Sequence, residues 1–368
     1  MNPLIEYISN NDNWEADLAS EPYNLFIRTN DEYPNLRLFT YNQIKSDMTD
    51  PVVQKARGII IDIDTMKVVC HPFDKFFNYN DERAHAIDWS TAAIQEKVDG
   101  SIMKLYWYDG DWQVATNGTI DAMNTDLPCP APGGTATFGD LFYEAMLKYP
   151  ELSLNDLDTQ YTYIFEITSP YNRVVVPHTE IGLTLIGVRN SDTGEETMVD
   201  IGVPRPKSYK FSSFDEMLAA SQALPFDDEG YVVVDGNWSR VKVKSPAYLH
   251  VHHLADNGNV SRNRIFELVR TGESVEFLNY YPEYNEIFDE VRLQWMDHQH
   301  KVQEIKLAAA ELKSKSETRK DFALAVQKLP KVVHPYYFAV MDGSEEKLDN
   351  LMDRLTFEKL FPIDMEVA

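Results

Sequence analysis

The sequence predicts an α+β fold, with antiparallel sheets and flanking helices in residues 1–254 and an all-helical domain in residues 255–368. Three hairpin patterns, in which β-branched and aromatic runs flank short turns, indicate the sheets. From about residue 255, turn signals become rare and apolar residues recur at helical spacing. A chain of 368 residues is also long for one hydrophobic core, which favours two domains.

The three predicted hairpins follow one another along the chain. They join Arg57–Asp62 to Lys67–Cys70, Ser101–Tyr108 to residues 112–116, and Gly230–Val234 to Arg240–Lys244. Hairpins in series are typical of antiparallel sheets, and we expect a helix over about residues 138–149 to pack against them. In the C-terminal domain, the run 284–328 has apolar residues at helical spacing, including Val291 and Trp295.

Composition excludes several classes of protein. A hydrophobic content of 43% with 12% aromatic residues is that of a folded chain without long disordered segments. Two cysteines cannot form a disulfide framework, and neither a signal peptide nor a bilayer-spanning apolar run is visible. We therefore expect a cytoplasmic protein that does not bind membranes. The net charge of −25 argues against broad attraction to nucleic acid, so any such substrate requires a local basic cleft.

Lys97 begins the most informative short string of the chain, Lys97-Val98-Asp99-Gly100-Ser101. A lysine amine, with an acid two residues further on and then a glycine, permits covalent attack on a nucleotide phosphate. The string is too short to establish this chemistry alone. Its interpretation depends on the charged clusters that follow it.

Two lysines on one predicted strand form the second cluster. Lys242 and Lys244 alternate with Val241 and Val243, so both ammonium groups lie on the same face. Their convergence is costly unless an anion such as a phosphate binds there. Lysines are also common on solvated edge strands, and this alternative remains open for the pair alone.

Two glutamates accompany these lysines. Glu229 lies just before the third hairpin, and Glu166 lies inside the apolar run Tyr163-Ile164-Phe165-Glu166-Ile167. A carboxylate in a buried strand or cleft needs a partner, because an unpaired one is expensive. An outward-facing glutamate on a half-exposed strand accounts for Glu166 alone but not for the whole set.

The ordered set of motifs resembles the phage-type RNA ligase 1 family, which belongs to the covalent nucleotidyltransferase superfamily with DNA ligases and mRNA capping enzymes. The resemblance covers about residues 35–250 and is carried by Arg57-Gly58, Lys75, Lys97-Val98-Asp99-Gly100-Ser101, Phe165-Glu166, Glu229-Gly230-Tyr231 and Lys242-Val243-Lys244-Ser245. It implies a nucleotidyltransferase (ATP-grasp-like) domain that holds its nucleotide between antiparallel sheets.

The resemblance also implies a role for each motif. Lys97 would attack the α-phosphate of ATP, and Lys242 and Lys244 would lower its pKa and hold phosphates. Arg57 and Lys75 would hold the β- and γ-phosphates. The remaining implied nucleotide contacts are Val98, Gly100 and Glu166.

A divalent cation, Mg²⁺ or Mn²⁺, is implied beside Asp99, Glu166 and Glu229, mostly through water. The implied enzyme is an ATP-dependent RNA ligase that joins RNA 5′-phosphate and 3′-hydroxyl ends. We expect it to act as a monomer in the cytoplasm, which is the host cytoplasm if the chain is viral.

Weaker assignments and rival functions stay open. Tyr248 matches a family aromatic residue, and Arg189 is a weak candidate for a nucleotide contact. The family tends to carry a basic residue before a glycine where this chain has Asn117-Gly118, so contacts at that position are in doubt. The rivals are another covalent nucleotidyltransferase (DNA ligase or capping enzyme) and a non-catalytic RNA-binding protein on a ligase scaffold.

Overall fold

The computed structural model describes residues 2–129, 131, 134–249, 262–280 and 282–360. The chain divides into two compact units, residues 1–252 and 253–368. The predicted boundary after residue 254 lies outside the described residues and stays a prediction. Within the described ranges, no helix combines the length and the apolar character needed to cross a bilayer.

The first unit contains the described strands, five helices that are described over their full length, and a helical segment at residues 246–249. The strands are β1 (Leu25–Arg28), β2 (Leu36–Tyr41), β3 (Arg57–Asp62), β4 (Lys67–Cys70), β5 (Phe77–Asn78), β6 (Ala93–Glu96), β7 (Ser101–Tyr108), β8 (Asp111–Thr116), β9 (Tyr161–Thr168), β10 (Gly182–Asn190), β11 (Glu196–Thr197), β12 (Ser208–Tyr209), β13 (Gly230–Val234) and β14 (Arg240–Lys244). The helices are α1 (Pro3–Asn10), α2 (Trp14–Leu18), α3 (Pro51–Lys55), α4 (Phe138–Met146) and α5 (Phe214–Gln222).

These strands form three sheets. The first sheet has the order β1-β2-β3-β4, the central sheet β11-β10-β9-β7-β8, and the third sheet β12-β6-β13-β14-β5. Neighbouring strands are antiparallel except for the parallel pair β14 and β5. All three predicted hairpins are confirmed as the pairs β3–β4, β7–β8 and β13–β14.

Strand β3 is buried on both faces of the first sheet, which explains its unbroken apolar run. Ile59 and Ile61 pack with residues of α1 and α3. Ile60 faces the opposite way and packs against Tyr106 and Ala115 of the central sheet. The alternation of strand side chains therefore places β3, which begins at Arg57, directly against the central sheet.

Helix α4 covers the other face of the central sheet, as predicted. It begins at a capping box in which Thr137 and Asp140 exchange hydrogen bonds with each other's backbone. Leu141, Phe142 and Ala145 are buried against the sheet. The helix ends at Met146, three residues before the predicted end.

The second unit is helical. Its described helices are α6 (Arg262–Thr271), α7 (Ser274–Tyr280), α8 (Asn285–Lys315), α9 (Arg319–Val326), α10 (His334–Asp342) and α11 (Glu345–Asp353). The predicted run 284–328 is divided between α8 and α9. The chain is extended at Ser316, and Thr318 forms a capping box with Asp321 that starts the new helix.

Candidate active site

A cleft in the first unit contains most of the predicted site residues. Its cavity volume is about 200 Å³, and all three sheets contribute to its walls. The predicted residues that line it are Arg57, Lys75, Lys97, Val98, Glu166, Glu229, Lys242 and Lys244. Residues separated by up to 187 positions in the chain therefore meet at one place, from Arg57 to Lys244.

Lys97 is placed by a tight backbone contact. It follows β6, and its backbone N–H donates to the carbonyl oxygen of Gly230 at 2.9 Å. Gly230 has φ +134°, and a Cβ there would lie 2.1 Å from the carbonyl oxygen of Val243. Only glycine fits this close approach, which explains why Glu229 is followed by glycine.

Lys97 and Glu229 form an ion pair inside the cleft, with 2.7 Å between Nζ and Oε1. The Lys97 side chain is 23% exposed and that of Glu229 only 6%. Burial lowers the pKa of Lys97, but attraction to Glu229 and Glu166 outweighs burial and raises the pKa above its ordinary value. The structure thus holds the candidate nucleophile as a protonated ammonium group.

This pairing corrects one sequence-based prediction. Lys242 and Lys244 were expected to lower the pKa of Lys97, but the acids beside it act in the opposite direction and prevail. Lys97 is a nucleophile only when neutral. Its activation therefore requires that the negative charge of Glu229 be offset by another group.

Glu166 lies on β9 and is almost fully buried. Burial raises the pKa of Glu166 to about 8, and the charge of Lys97 only partly opposes this rise. At neutral pH the carboxyl group is therefore mostly protonated in the absence of ligands. It can donate a hydrogen bond to a ribose hydroxyl, or it can ionise beside an added cation.

The pKa of Glu166 predicts a pH-dependent contribution to stability. The folded state keeps this proton up to about pH 8, whereas the unfolded chain loses it near the ordinary pKa of 4.5. Folding stability therefore falls as pH rises between these values. We expect the change in thermal midpoint caused by Glu166→Gln to be more favourable at about pH 8 than at about pH 5. Equal shifts of the midpoint at both pH values would show that Glu166 is ionised in the folded state.

The cleft is locally cationic although the chain is acidic. Six of its lining residues are lysine or arginine and three are glutamate. The Arg57 guanidinium lies 5.1 Å from the ring centroid of Phe76. Lys75 lies 4.7 Å from the ring of Tyr41 and donates to its hydroxyl group at 3.2 Å. These contacts hold both cations in place for an anion such as a triphosphate.

The paired lysines of β14 have the predicted arrangement. Val241 and Val243 are buried in the core of the third sheet, while Lys242 and Lys244 line the cleft. The strand period of two therefore presents both ammonium groups on the cleft face.

Asp99 is not placed to organise a metal ion, contrary to the prediction. Its Oδ2 accepts hydrogen bonds from the backbone N–H groups of Val175 and Val176 at 2.9 and 2.7 Å. Its Oδ1 accepts from the Tyr248 hydroxyl group at 2.9 Å. The carboxylate is buried and lies outside the cleft lining. Asp99 instead connects the loop of residues 97–100, the Lys97 loop, to two distant segments that contain Val175 and Tyr248.

Asp99→Ala should therefore destabilise the fold without changing metal use. The change removes the acceptor of two backbone amides and one hydroxyl group, at a cost of about 2–5 kcal/mol in the free energy of unfolding. Denaturant unfolding measures this loss. In the fraction that remains folded, we expect the Mg²⁺ concentration for half-maximal activity to match that of the wild type. A large increase in that concentration would restore Asp99 as a metal ligand.

Gly100 also lies outside the cleft lining, which does not favour the predicted nucleotide contact. A Cβ at this position would lie 2.4 Å from the carbonyl oxygen of Ile167 and 3.2 Å from the Glu166 Cγ. The glycine therefore allows the Lys97 loop to pack closely against β9.

With Asp99 excluded, the carboxylates of the cleft fit a cation that is bound partly by the protein and partly by phosphate oxygens of the substrate. Among the described residues, no group of three or more His, Cys, Asp or Glu side chains is arranged to hold a metal ion by itself. Mg²⁺ commonly uses one or two carboxylates together with substrate phosphates and water. Of the three glutamates that line the cleft, Glu229 and Glu166 are buried and have the right chemistry, whereas Glu96 pairs with Lys207.

Some cleft residues were missed by sequence analysis. Tyr41, Phe73 and Phe76 form aromatic walls, and Arg240 lies 4.2 Å from the ring centroid of Phe73. The aromatic residues around Lys75 are a signal that could have been used. The contribution of Arg240 depends on its buried pair with Glu196, which is far away in sequence.

Two weaker assignments have clear locations. Arg189 does not line the cleft; its guanidinium donates to the backbone of Pro72 and Gly194 and pairs with Asp74 and Glu196. Asn117 is half-buried, and its Oδ1 is a buried acceptor with no hydrogen-bond partner among the described residues.

Comparison with known proteins relates the chain to RNA ligases. The RNA ligase family profile matches residues 55–248. A protein of Autographa californica nuclear polyhedrosis virus, named as a candidate bifunctional polynucleotide kinase/RNA ligase, is 30% identical over 269 residues, covering 67% of this chain and 38% of that protein. The RNA ligase of Rhodothermus phage RM378 is 26% identical over 364 residues, covering 80% of this chain and 82% of that protein.

The chain belongs to the RNA ligase family, because the family match spans more than half of its length. The chain corresponds to only about two fifths of the baculovirus relative. A solved archaeal ATP-dependent RNA ligase is 13% identical with a TM-score of 0.45, covering 80% of this chain and 78% of that chain.

Proposed function

We propose that this chain is an ATP-dependent RNA ligase that works through a covalent lysyl–AMP intermediate. The observation that carries the proposal is the Lys97–Glu229 pair within a cleft rich in lysine and arginine. A lysine that can be released from an acid beside bound phosphates is suited to attack on phosphorus. Family membership supports RNA as the substrate whose ends are joined.

In the first step, neutral Lys97 attacks the α-phosphorus of ATP. The P–N bond forms as the bond to pyrophosphate breaks, and the amine proton leaves to solvent. Arg57 and Lys75 hold the β- and γ-phosphates, and Lys242 and Lys244 balance charge as the bond breaks. Glu229 and Glu166 would hold a divalent cation, whose charge would offset the two carboxylates. The pKa of Lys97 would then fall, and its proton would be released to solvent before the attack.

In the later steps, the AMP is passed to RNA and then displaced. An RNA 5′-phosphate oxygen attacks the phosphorus of lysyl–AMP, which frees Lys97 and leaves a 5′-to-5′ pyrophosphate linkage. An RNA 3′-hydroxyl then attacks the 5′-phosphate, loses its proton and expels AMP. Both steps use the same cationic cleft, because in each of them negative charge develops on the oxygens around the phosphorus atom that is attacked.

Incubation with α-labelled ATP or GTP, followed by RNA or DNA acceptors, tests the proposal against its rivals. We expect label from ATP on the protein and sealed RNA with 5′-phosphate ends. Label from GTP alone would indicate a capping enzyme, and preferential sealing of DNA a DNA ligase. Binding of ATP and RNA without covalent label would indicate a non-catalytic RNA-binding protein.

We also propose that the chain acts as a monomer in the cytoplasm, or in the host cytoplasm if it is viral. The predicted nucleophile and the predicted phosphate-binding residues lie together in one cleft of the chain, which supports this proposal. Light scattering combined with activity at several protein concentrations tests the monomer directly. A specific activity that rises with dimer formation would contradict it.

A further inference from the structure

Lys104 is a fully buried lysine that the proposed chemistry leaves unexplained. It lies on β7, with Ala115 of β8 and Ile164 of β9 as its neighbours in register, and its exposure is 0%. None of the ion pairs found among the described residues includes it. An ammonium group buried without a carboxylate is costly, and such groups cluster at functional sites.

The ammonium group of Lys104 reaches across to the first sheet. Its Nζ donates a hydrogen bond to the carbonyl oxygen of Gly58 at 2.5 Å. Gly58 lies where the β2–β3 register shifts and has φ +84°. A Cβ on Gly58 would lie 2.6 Å from Lys104 Nζ and 3.0 Å from the Asn117 Cα. Residue 58 must therefore be glycine for this bulge to form without strain, and the Lys104 hydrogen bond holds the bulge in place.

The residue that precedes this bulge is Arg57, whose side chain lines the cleft. Burial, opposed by Cys70 and assisted by the nearby charge of Arg57, lowers the pKa of Lys104 to about 8. Lys104 is thus mostly charged at neutral pH. It is coupled to Arg57 both through the backbone and through space.

We propose that Lys104 is a positioning residue that orients Arg57 toward the phosphates of ATP by holding the Gly58 carbonyl. This proposal rests on the proposed ligase function. It also explains why position 117 can be asparagine and not a basic residue. The Lys104 ammonium group, which comes from β7, already places a cation next to Asn117 at the end of β8.

The test is the kinetics of adenylylation in the full-length Lys104→Met variant, which keeps the unbranched chain up to the position of Cε and removes the ammonium donor. We expect the KM for ATP to rise about tenfold, because misplacement of a phosphate-binding group weakens alignment. Tyr106→Phe is the matched control, since it removes a buried hydrogen bond, from the Tyr106 hydroxyl to the Ile120 carbonyl, on the same face of the same strand. The control should leave the KM for ATP unchanged even if it lowers the thermal midpoint.

A double-mutant cycle separates positioning from general destabilisation. In an Arg57→Ala background, Lys104→Met should add little, because the residue that it orients is already absent. An unchanged KM in Lys104→Met, or full additivity with Arg57→Ala, would overturn the proposal.

If Lys104→Met does not fold, Lys104→Met/Asn117→Lys provides a second test by supplying an ammonium group from the adjacent position. We expect this double variant to have a KM for ATP close to that of the wild type. A folded double variant whose KM is raised about tenfold would contradict the positioning role. Absence of adenylylation in the wild type itself would instead reject the ligase function.

Discussion

Replacing Lys97 with alanine is expected to abolish covalent labelling by α-labelled ATP, a loss of at least ~10³-fold in the adenylylation rate. Lys97 is the lysine that the structure holds beside Glu229 in the cleft. The other lysines of this cleft, Lys75, Lys242 and Lys244, are assigned to phosphates. The same variant should still seal RNA that already carries a 5′-adenylate, because the last step uses no lysine nucleophile.

Lys67→Ala is a suitable control for this experiment. Lys67 is an exposed lysine at the start of β4 and lies outside the cleft lining, so its loss should leave adenylylation unchanged. Retained label on Lys97→Ala would show that another residue is the nucleophile. Loss of sealing of pre-adenylylated RNA together with an unchanged thermal midpoint would show that Lys97 also takes part in the last step.

Glu229→Gln is expected to reduce adenylylation about 10²-fold and to shift its pH dependence. Glu229 has two roles in the proposed mechanism: it holds the proton on Lys97 in the absence of ligand, and it helps to hold the cation. Without its charge, burial lowers the pKa of Lys97, since the main opposing attraction is lost. The acidic limb of the kcat/KM profile should therefore move to lower pH while the maximum falls.

The pH profile of adenylylation measures both effects of Glu229→Gln. Asp228→Asn serves as a control at the adjacent position, which lies outside the cleft lining. A lower maximum with an unmoved acidic limb would mean that Glu229 acts on the cation alone. An unchanged rate would remove Glu229 from the site.

The parts of the site that follow strand periodicity could be predicted from sequence. Lys242 and Lys244 fall on one face because side chains alternate along β14, and the structure agrees. Glu166 is recognisable as a carboxylate that needs a partner, because a charged group within an apolar run is costly when it is unpaired. The hairpins were predictable because their turns are local.

The parts that depend on distant partners could not be predicted. Asp99 reads as a metal-binding acid beside Lys97, but its hydrogen-bond donors are 76, 77 and 149 residues away. The direction of the pKa shift of Lys97 likewise depends on which charge is nearest, and that charge is Glu229, not a lysine. Lys104 appears in sequence as one polar residue in a strand, and only its contact with Gly58 reveals its position.

Locating the AMP by peptide mass spectrometry is the most direct test of the proposed mechanism. The wild-type chain would be incubated with ATP and Mg²⁺, digested under conditions that preserve the acid-labile bond, and fragmented. We predict AMP on Lys97 and on no other lysine. AMP on a different residue, or a wild-type chain that stays unmodified with ATP, would contradict the lysyl–AMP mechanism.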